Sequence, residues 1–320
     1  MTEQITQDKQ QARALKGHDY LSETTIHGYK SLLFGIPFVA AGALMLALAS
    51  PINGGTRGDM PWQFVVLLIA FFPFAGIMFI GHGLRGILRE KRIKALQKFY
   101  GHEPWKWDNP WKIDGISDHG NATMYKVFRI GIVFLLFLLP FNWLAFVSTE
   151  IAWGRFIWQF MVGLFDLITL FLFGYGTYLL LRRAKYGKRR VRFSTFPFFL
   201  GQEINLVFEG SDLLRNSRGF TATLRNIEER YERREGSDVN IMCYELYSDK
   251  IFFSEPELRH LNFSSLELKF TLPENGLDTR LSERPPRYWE LELLAETPGI
   301  DFRAFFLLPV YKASSSAGTL

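Results

Sequence analysis

Residues 156–192 read FIWQFMVGLFDLITLFLFGYGTYLLLRRAKYGKRRVR. The 26 positions from Phe156 to Leu181 hold one charge, Asp166, and the next 11 hold seven: Arg182, Arg183, Lys185, Lys188, Arg189, Arg190 and Arg192. A helix rises about 1.5 Å per residue and the hydrocarbon core of a bilayer is about 30 Å thick, so this run crosses the core with length to spare and halts at a cationic stop. Beyond the stop the hydrophobic period changes from helical to two. The junction divides the chain into a basic helical part and an acidic β part.

Upstream, three further runs without a charge fit the same reading: 31–49, 62–84 and 130–148. Four runs of that length predict four transmembrane helices in two hairpins, 31–84 and 130–181. A mean hydropathy of +0.02 over 320 residues conceals the division, for 1–192 hold 23 Lys and Arg against 12 Asp and Glu, whereas 193–320 hold 14 against 20. High aromatic content excludes disordered and collagen-like classes. One cysteine, Cys243, excludes an internal disulfide, a CxxC pair and a Cys-rich zinc site, and it agrees with a reducing compartment.

Lys and Arg near a span end are retained on the cytoplasmic side. The segments 1–30, 83–129 and 182–192 carry 21 of them, while the short connectors 50–61 and 149–155 carry one each, Arg57 and Arg155. The expectation is that both termini lie inside, with 1–30 a cytoplasmic N-terminal segment lacking a cleavable signal, the first span acting as its own insertion signal. On that side the sequon at Asn121 is silent.

Between the hairpins, 85–129 is expected to hold a basic amphipathic helix followed by a Trp-rich loop. Leu84, Ile87, Leu88, Ala95, Leu96, Phe99 and Tyr100 make an apolar stripe with six cations mostly opposite, a helix that continues the second span or lies along the headgroups. Trp105, Trp107 and Trp111, punctuated by Pro104 and Pro110, cannot form a helix interior. Indole rings favour the headgroup region, so these three are membrane-interface candidates, in a loop pressed onto the headgroups or folded against the C-terminal domain. His102, Asp108, Asp114, Asp118 and His119 match no metal-ligand spacing, so no metal or other cofactor is expected.

Asp166 lies about 15 Å into its span, where an unpaired ionised carboxylate costs several kcal/mol. Asn142, in the third span, is the nearest partner candidate in depth; Thr169 and Tyr175 share the helix. The pair reads either as a hydrogen bond between helices or as part of a proton or cation relay. The polybasic linker 182–192, immediately inside a span, reads as an anionic-lipid contact through Arg182, Arg183, Lys185, Lys188, Arg189, Arg190 and Arg192. Nucleic acid is not an expected partner, because the domain that follows is acidic.

From 193 to 312 the alternation of Ile204, Leu206 and Phe208, of Leu266, Leu268, Phe270 and Leu272, of Trp289, Leu291, Leu293 and Ala295, and of Phe302, Ala304, Phe306, Leu308 and Val310 marks strands. Others are expected near 219–231, 238–247 and 250–254, with turns at Glu235-Gly236-Ser237, 273–276, 285–286 and 298–299. About seven antiparallel strands, each burying one face and wetting the other, describe a β-sandwich. Residues 313–320 are read as a tail. No phosphate loop, nucleophile elbow or carboxylate cluster interrupts the pattern, and His260, the single histidine there, has no triad around it.

Residues 287–293, 297–302 and 305–310 resemble the last two strands of an arrestin-like or immunoglobulin-like sandwich. With the Pro104-Trp105-Lys106-Trp107 element and the spans before it, the chain is similar to bacterial four-span membrane proteins that carry a domain of unknown function. The resemblance implies a multi-pass protein of the bacterial inner membrane. It brings no catalytic residue, and sandwiches of that kind usually bind or scaffold. Two functions follow as expectations: a non-enzymatic membrane-anchored adaptor that binds a protein partner through the sandwich, or a small oligomeric transporter or channel with Asp166 as relay. Anionic lipid, and a protein partner or further copies of the chain, are the expected contacts.

Overall fold

The computed structural model describes residues 12–15, 18, 28–48, 62–118, 120–147, 155–233 and 239–313. Expectations for the rest of 1–27, connector residues 50–61 and 149–154, His119, the 235–237 turn and residues 314–320 of the tail fall outside the described residues. The chain divides into two compact units, one of Ile26–Lys91 with Ala122–Leu180, the other of Met1–Thr25, Arg92–Asn121 and Leu181–Leu320.

The first unit is built on α1 (Tyr29–Leu48), α2 (Trp62–Phe99), α3 (Gly120–Asn142) and α4 (Arg155–Tyr186). Each is long and apolar enough to cross a membrane. Apolar side chains such as Leu44, Ile77, Leu170 and Phe171 are exposed along them, the reverse of a water-soluble bundle. The basic stretch 85–99 is the continuation of α2, unbroken from the apolar part.

Helix pairing in this unit rests on small residues. Gly28, Gly35 and Gly42 recur every seventh position beside Gly76 and Gly83. A Cβ at Gly35 would stand 2.6 Å from the Gly76 carbonyl, one at Gly76 2.7 Å from the Gly35 carbonyl, and one at Gly83 2.7 Å from the Gly28 carbonyl. Backbone therefore touches backbone, and Ser31 Oγ donates to the Phe79 carbonyl at 3.0 Å. Between α3 and α4 the fit is ring on glycine, Phe173 against Gly131 and Phe128 against Gly176. Phe71 and Phe137, 4.4 Å between ring centroids, join α2 to α3.

The second unit is a two-layer β structure. One sheet has the order β1-β7-β6-β9-β10 and the other β2-β3-β5-β8, where β1 is Arg13–Leu15, β2 Ile116–Ser117, β3 Arg190–Phe193, β5 Glu203–Glu209, β6 Gly219–Arg233, β7 Val239–Ser254, β8 Leu266–Thr271, β9 Arg287–Ala295 and β10 Phe302–Leu308. A short parallel pair joins β4 (Phe198–Phe199) to β11 (Val310–Tyr311). Ile204, Leu206, Phe208, Leu266, Leu268 and Phe270 of one sheet share a single core with Phe220, Leu224, Trp289, Leu291, Phe302 and Phe306 of the other. Burial of these faces drives the fold, and the Trp289 indole N–H is satisfied by the Leu277 carbonyl at 2.7 Å.

Three expectations are corrected. The strands foreseen at 238–247 and 250–254 are one, β7, whose register with β6 shifts at Asn226/Ile227. A bulge adds a residue and bends the strand, which hides its continuity in the sequence. The stretch 182–192 is not a linker: it ends α4 and begins β3, itself part of a sheet. Nor is the outer face of β9 wet, for Tyr288, Glu290 and Glu292 are all buried. There Arg225 reaches Glu245 at 3.1 Å and Glu292 at 2.5 Å, and Arg303 meets Glu292 at 3.0 Å, so that these charges are paired where they leave water, while His18 Nε2 lies 3.3 Å from Glu290.

Candidate functional site

In the helical unit the polar group deepest in an apolar run is Asp166. Asn142 Nδ2 donates to Asp166 Oδ1 at 2.9 Å and to the Leu138 carbonyl of its own helix at 3.3 Å. Pro140 lacks an N–H and interrupts the α3 ladder, which opens directly after Asn142 into a π-turn, Trp143–Val147. Gln159 of α4 donates to the Ala145 carbonyl inside that turn at 3.0 Å. Two amide-bearing side chains thus link α3 to α4. Thr169 spends its hydroxyl on the Phe165 carbonyl, and Tyr175 stacks beside Tyr178; neither bond goes to Asp166. Nearby lies a groove of about 430 Å³ lined by Phe71, Phe137, Leu138, Trp158, Val162 and Phe165 among other apolar side chains. A proton wire needs successive titratable groups, and the lining of this groove offers none among the described residues.

The polybasic stretch is largely engaged inside the β unit. Lys185 Nζ donates to Thr297 Oγ1 at 3.1 Å and to the carbonyls of Pro298 and Ile300 at 2.8 and 3.0 Å. Tyr186, buried in the core, bonds the Thr297 hydroxyl and the Ile300 carbonyl. Arg189 is withdrawn from solvent and ion-paired with Asp118 at 2.8 Å, its side chain 3% and that of Asp118 1% exposed. Burial pulls its guanidinium downward in pKa and the Asp118 charge opposes that. Arg190 pairs with Asp114 at 2.5 Å and Arg192 with Glu209 at 2.6 Å. The expectation of lipid contact is therefore corrected for Arg189, which is buried, and for Lys185, whose ammonium already serves three acceptors. Lys188 stands exposed, and Arg182 and Arg183 lie in the last turns of α4.

Of the two placements foreseen for the Trp loop, the structure shows packing on the β unit. Trp105 sets its ring against Phe199 and Tyr311, at 5.7 and 6.0 Å, while Trp111 Nε1 donates to Tyr311 Oη at 2.8 Å. Trp107 turns back, its N–H on the Tyr100 carbonyl at 3.0 Å. Asp108 anchors the loop: its carboxylate accepts the N–H groups of Leu281 and Ser282 at 3.0 and 2.7 Å and faces Tyr311 Oη at 3.3 Å. Burial raises the Asp108 carboxyl above the ordinary carboxylate range although those hydrogen bonds lower it, and burial likewise raises the Tyr311 phenol.

Asp108, Asp114 and Asp118 are thus each committed to the fold. No group of three or more metal-type side chains converges among the described residues. His260 is exposed beside the short helix α5 (Glu255–Leu258).

The same ion pair that buries Arg189 closes a sheet edge. Phe305 of β10 gives its N–H to Asp118 Oδ1 at 3.0 Å, and Arg189 donates to the Arg303 carbonyl at 3.2 Å. Side chains occupy the places of a neighbouring strand, a device that blocks pairing with other chains. At the opposite edge the reverse holds, for the distant segment β1 adds to β7 with Arg13 opposite Glu245. Sequence reasoning missed both features. Three residues, Arg13–Leu15, carry no readable period, and the Asp118–Arg189 pair is long-range.

No family model matches the chain, and no curated protein matches it. Among solved structures it is similar to the crystal structure of Spo0M, a sporulation control protein from Bacillus subtilis, at 11% identity and a TM-score of 0.25. The match covers 39% of this chain and about half, 49%, of that one, an overlap that assigns neither fold nor function.

Proposed function

We propose that this chain is a multi-pass protein of the bacterial inner membrane, both termini cytoplasmic, that works as a non-enzymatic scaffold or adaptor. The four apolar helices anchor it, and the acidic two-sheet unit, read as an arrestin-like or immunoglobulin-like sandwich, is its protein-binding module. The observation that carries this reading is the pair of contrasting sheet edges: one is sealed by Asp118 and Arg189, the other takes up a strand from far away in the chain. Strand addition to an exposed edge is a general mode of peptide capture. Arg182, Arg183, Lys188, Arg190 and Arg192 are the cations to which anionic headgroups remain assigned.

The test is a tag after Leu320, cross-linking in living cells and extraction in mild detergent, with an equally abundant unrelated membrane protein as reference. A stoichiometric protein partner retained by Asp166→Asn is the expected result. Recovery of the chain alone, with loss of phenotype in Asp166→Asn at unchanged abundance, would overturn the adaptor.

The transporter reading has one observation in its favour, the Asn142–Asp166 bond beside a π-turn, a kind of helix defect frequent at functional sites. It requires ion or proton flux in proteoliposomes that Asp166→Asn abolishes. Equal flux in both would remove Asp166 as a relay.

A further inference from the structure

The groove beside the α3–α4 seam runs lengthwise through the helical unit. Phe173 packs on Gly131 and Gln159 donates to the Ala145 carbonyl, so α3 and α4 are antiparallel, and the shared offset of these contacts sets Val133 level with Phe171. The lining starts at Trp158, next to the connector that precedes α4, and slants inward to Val133, about 20 Å by helix rise against about 15 Å for the hydrocarbon of one leaflet. Its floor is Leu138 and Val162, both buried, and its rims are Phe134, Phe165 and Trp158, 37%, 41% and 43% exposed. Phe71, set against the Phe137 ring, closes it from α2.

Among the described residues no polar side chain lines it, for Asn142 and Asp166 stand at the same seam but are spent on each other. Walls facing an empty space forfeit dispersion contacts on one side, and about 430 Å³ falls within the range of about 300–1,000 Å³ typical of ligand pockets. Water finds no hydrogen bond on such a wall, and a polar solute leaves its own groups unsatisfied there. A hydrocarbon chain has none to satisfy. Three helices hold a chain in the groove, whereas the exposed side of α4 at Leu170 and Phe171 offers a passing lipid one. At the connector end Arg155 opens α4, exposed and three residues before Trp158, hence on the same face. An indole and then a cation, in that order outward, match the passage from acyl chain to phosphate.

Resting on the helices crossing the bilayer, and on neither the adaptor nor the transporter reading, we infer that the groove holds one acyl chain of a bilayer phospholipid, with the lipid phosphate at Arg155. Contact with three helices and one charge makes this lipid a bound ligand, distinct from the exchanging lipid around the bundle. It adds to the Phe71–Phe137 contact in joining α2 to the α3–α4 pair.

The probe is phosphatidylglycerol of a single chain length, added back to the full-length chain after detergent exchange has stripped it, with bound lipid counted by native mass spectrometry. Wild type is expected to keep one lipid under washing that removes all others. Val133→Phe and Met161→Trp, which fill the groove from its two walls, lose that lipid threefold or more, and Leu170→Trp on the exposed side of α4 does not. Arg155→Gln weakens retention by a similar factor. No retained lipid in wild type, equal retention in the filled variants and in Leu170→Trp, or retention indifferent to Arg155→Gln overturns the inference. One measurement needs no filled variant to fold: at one lipid per chain, phosphatidylglycerol brominated along its acyl chains should quench the emission of Trp158, read as wild type less Trp158→Phe. Absence of that quenching also overturns it. Recovery of the chain outside the membrane fraction of cells fails at the earlier level, the crossing of the bilayer.

Discussion

Arg189 and Asp118 show how two charges survive burial. Each meets the other and a backbone group of β10, so neither is left without a counter-charge when water is removed. Removing one partner strands the other, and Asp118→Ala is expected to cost about 3–5 kcal/mol, read as a lowered urea midpoint of the full chain in detergent, with Asp114→Ala at the exposed pair leaving the midpoint where wild type has it. Similar losses for both would show that burial does not distinguish them. The phenols give a pH-dependent counterpart. Burial raises Tyr288 and Tyr311 above the ordinary tyrosine value of about 10, so on the alkaline side the unfolded chain releases these protons first. With more protons bound in the folded state, stability falls as pH rises past about 10, the unfolded value. Phenolate absorbance at pH 11 should leave at least two of the 12 tyrosines silent in the native protein and none in guanidinium. Full native titration at that pH would contradict their burial.

Among the elements, the α1–α2 seam makes the sharpest claim, because its glycines hold backbones in contact. Gly35→Leu or Gly76→Leu is expected to destabilise by about 1–3 kcal/mol or to separate the helices, lowering the melting temperature in detergent. Gly163→Ala and Gly174→Ala, where a new Cβ meets nothing within 4 Å, should leave it unchanged. Equal effects at the two sets of sites would dissociate the seam from packing. This seam was legible in principle, through the seven-residue recurrence of glycine, yet glycine is also scattered elsewhere and the recurrence gains meaning only once the facing helix is known. Charge-free runs and the period-two strands were readable because each is a local consequence of where side chains must be buried. β3 was obscured for the opposite reason: Arg190, Val191, Arg192 and Phe193 do alternate, but their cations read as a membrane flank until Asp114 and Glu209 are seen opposite them. Asn142 and Asp166 were linked by depth alone; Gln159 was not, because its acceptor is a carbonyl inside a π-turn that no side-chain pattern announces.

For the whole molecule the decisive quantity is the distribution of charge along the chain. The segments 1–30, 83–129 and 182–192 hold 21 cations and the two short connectors hold two. Orientation by this asymmetry does not depend on whether each cation contacts lipid, since retention acts during insertion, before Arg189 finds Asp118 or Lys185 finds the 297–300 loop. The folded partners of those residues therefore leave the topology argument intact while weakening the lipid one. A fluorescent protein fused after Leu320 should be fluorescent in cells, and alkaline phosphatase at the same point inactive; insertion of either between 50 and 61 should give the opposite pair. If the C-terminal fusion instead gives active phosphatase, the acidic β unit lies outside, and any partner of that unit must be sought there. The edge extended by β1 and the sealed one would still differ, because both are properties of the β unit alone. What would change is the compartment whose proteins the β unit meets, and with it the search for a partner.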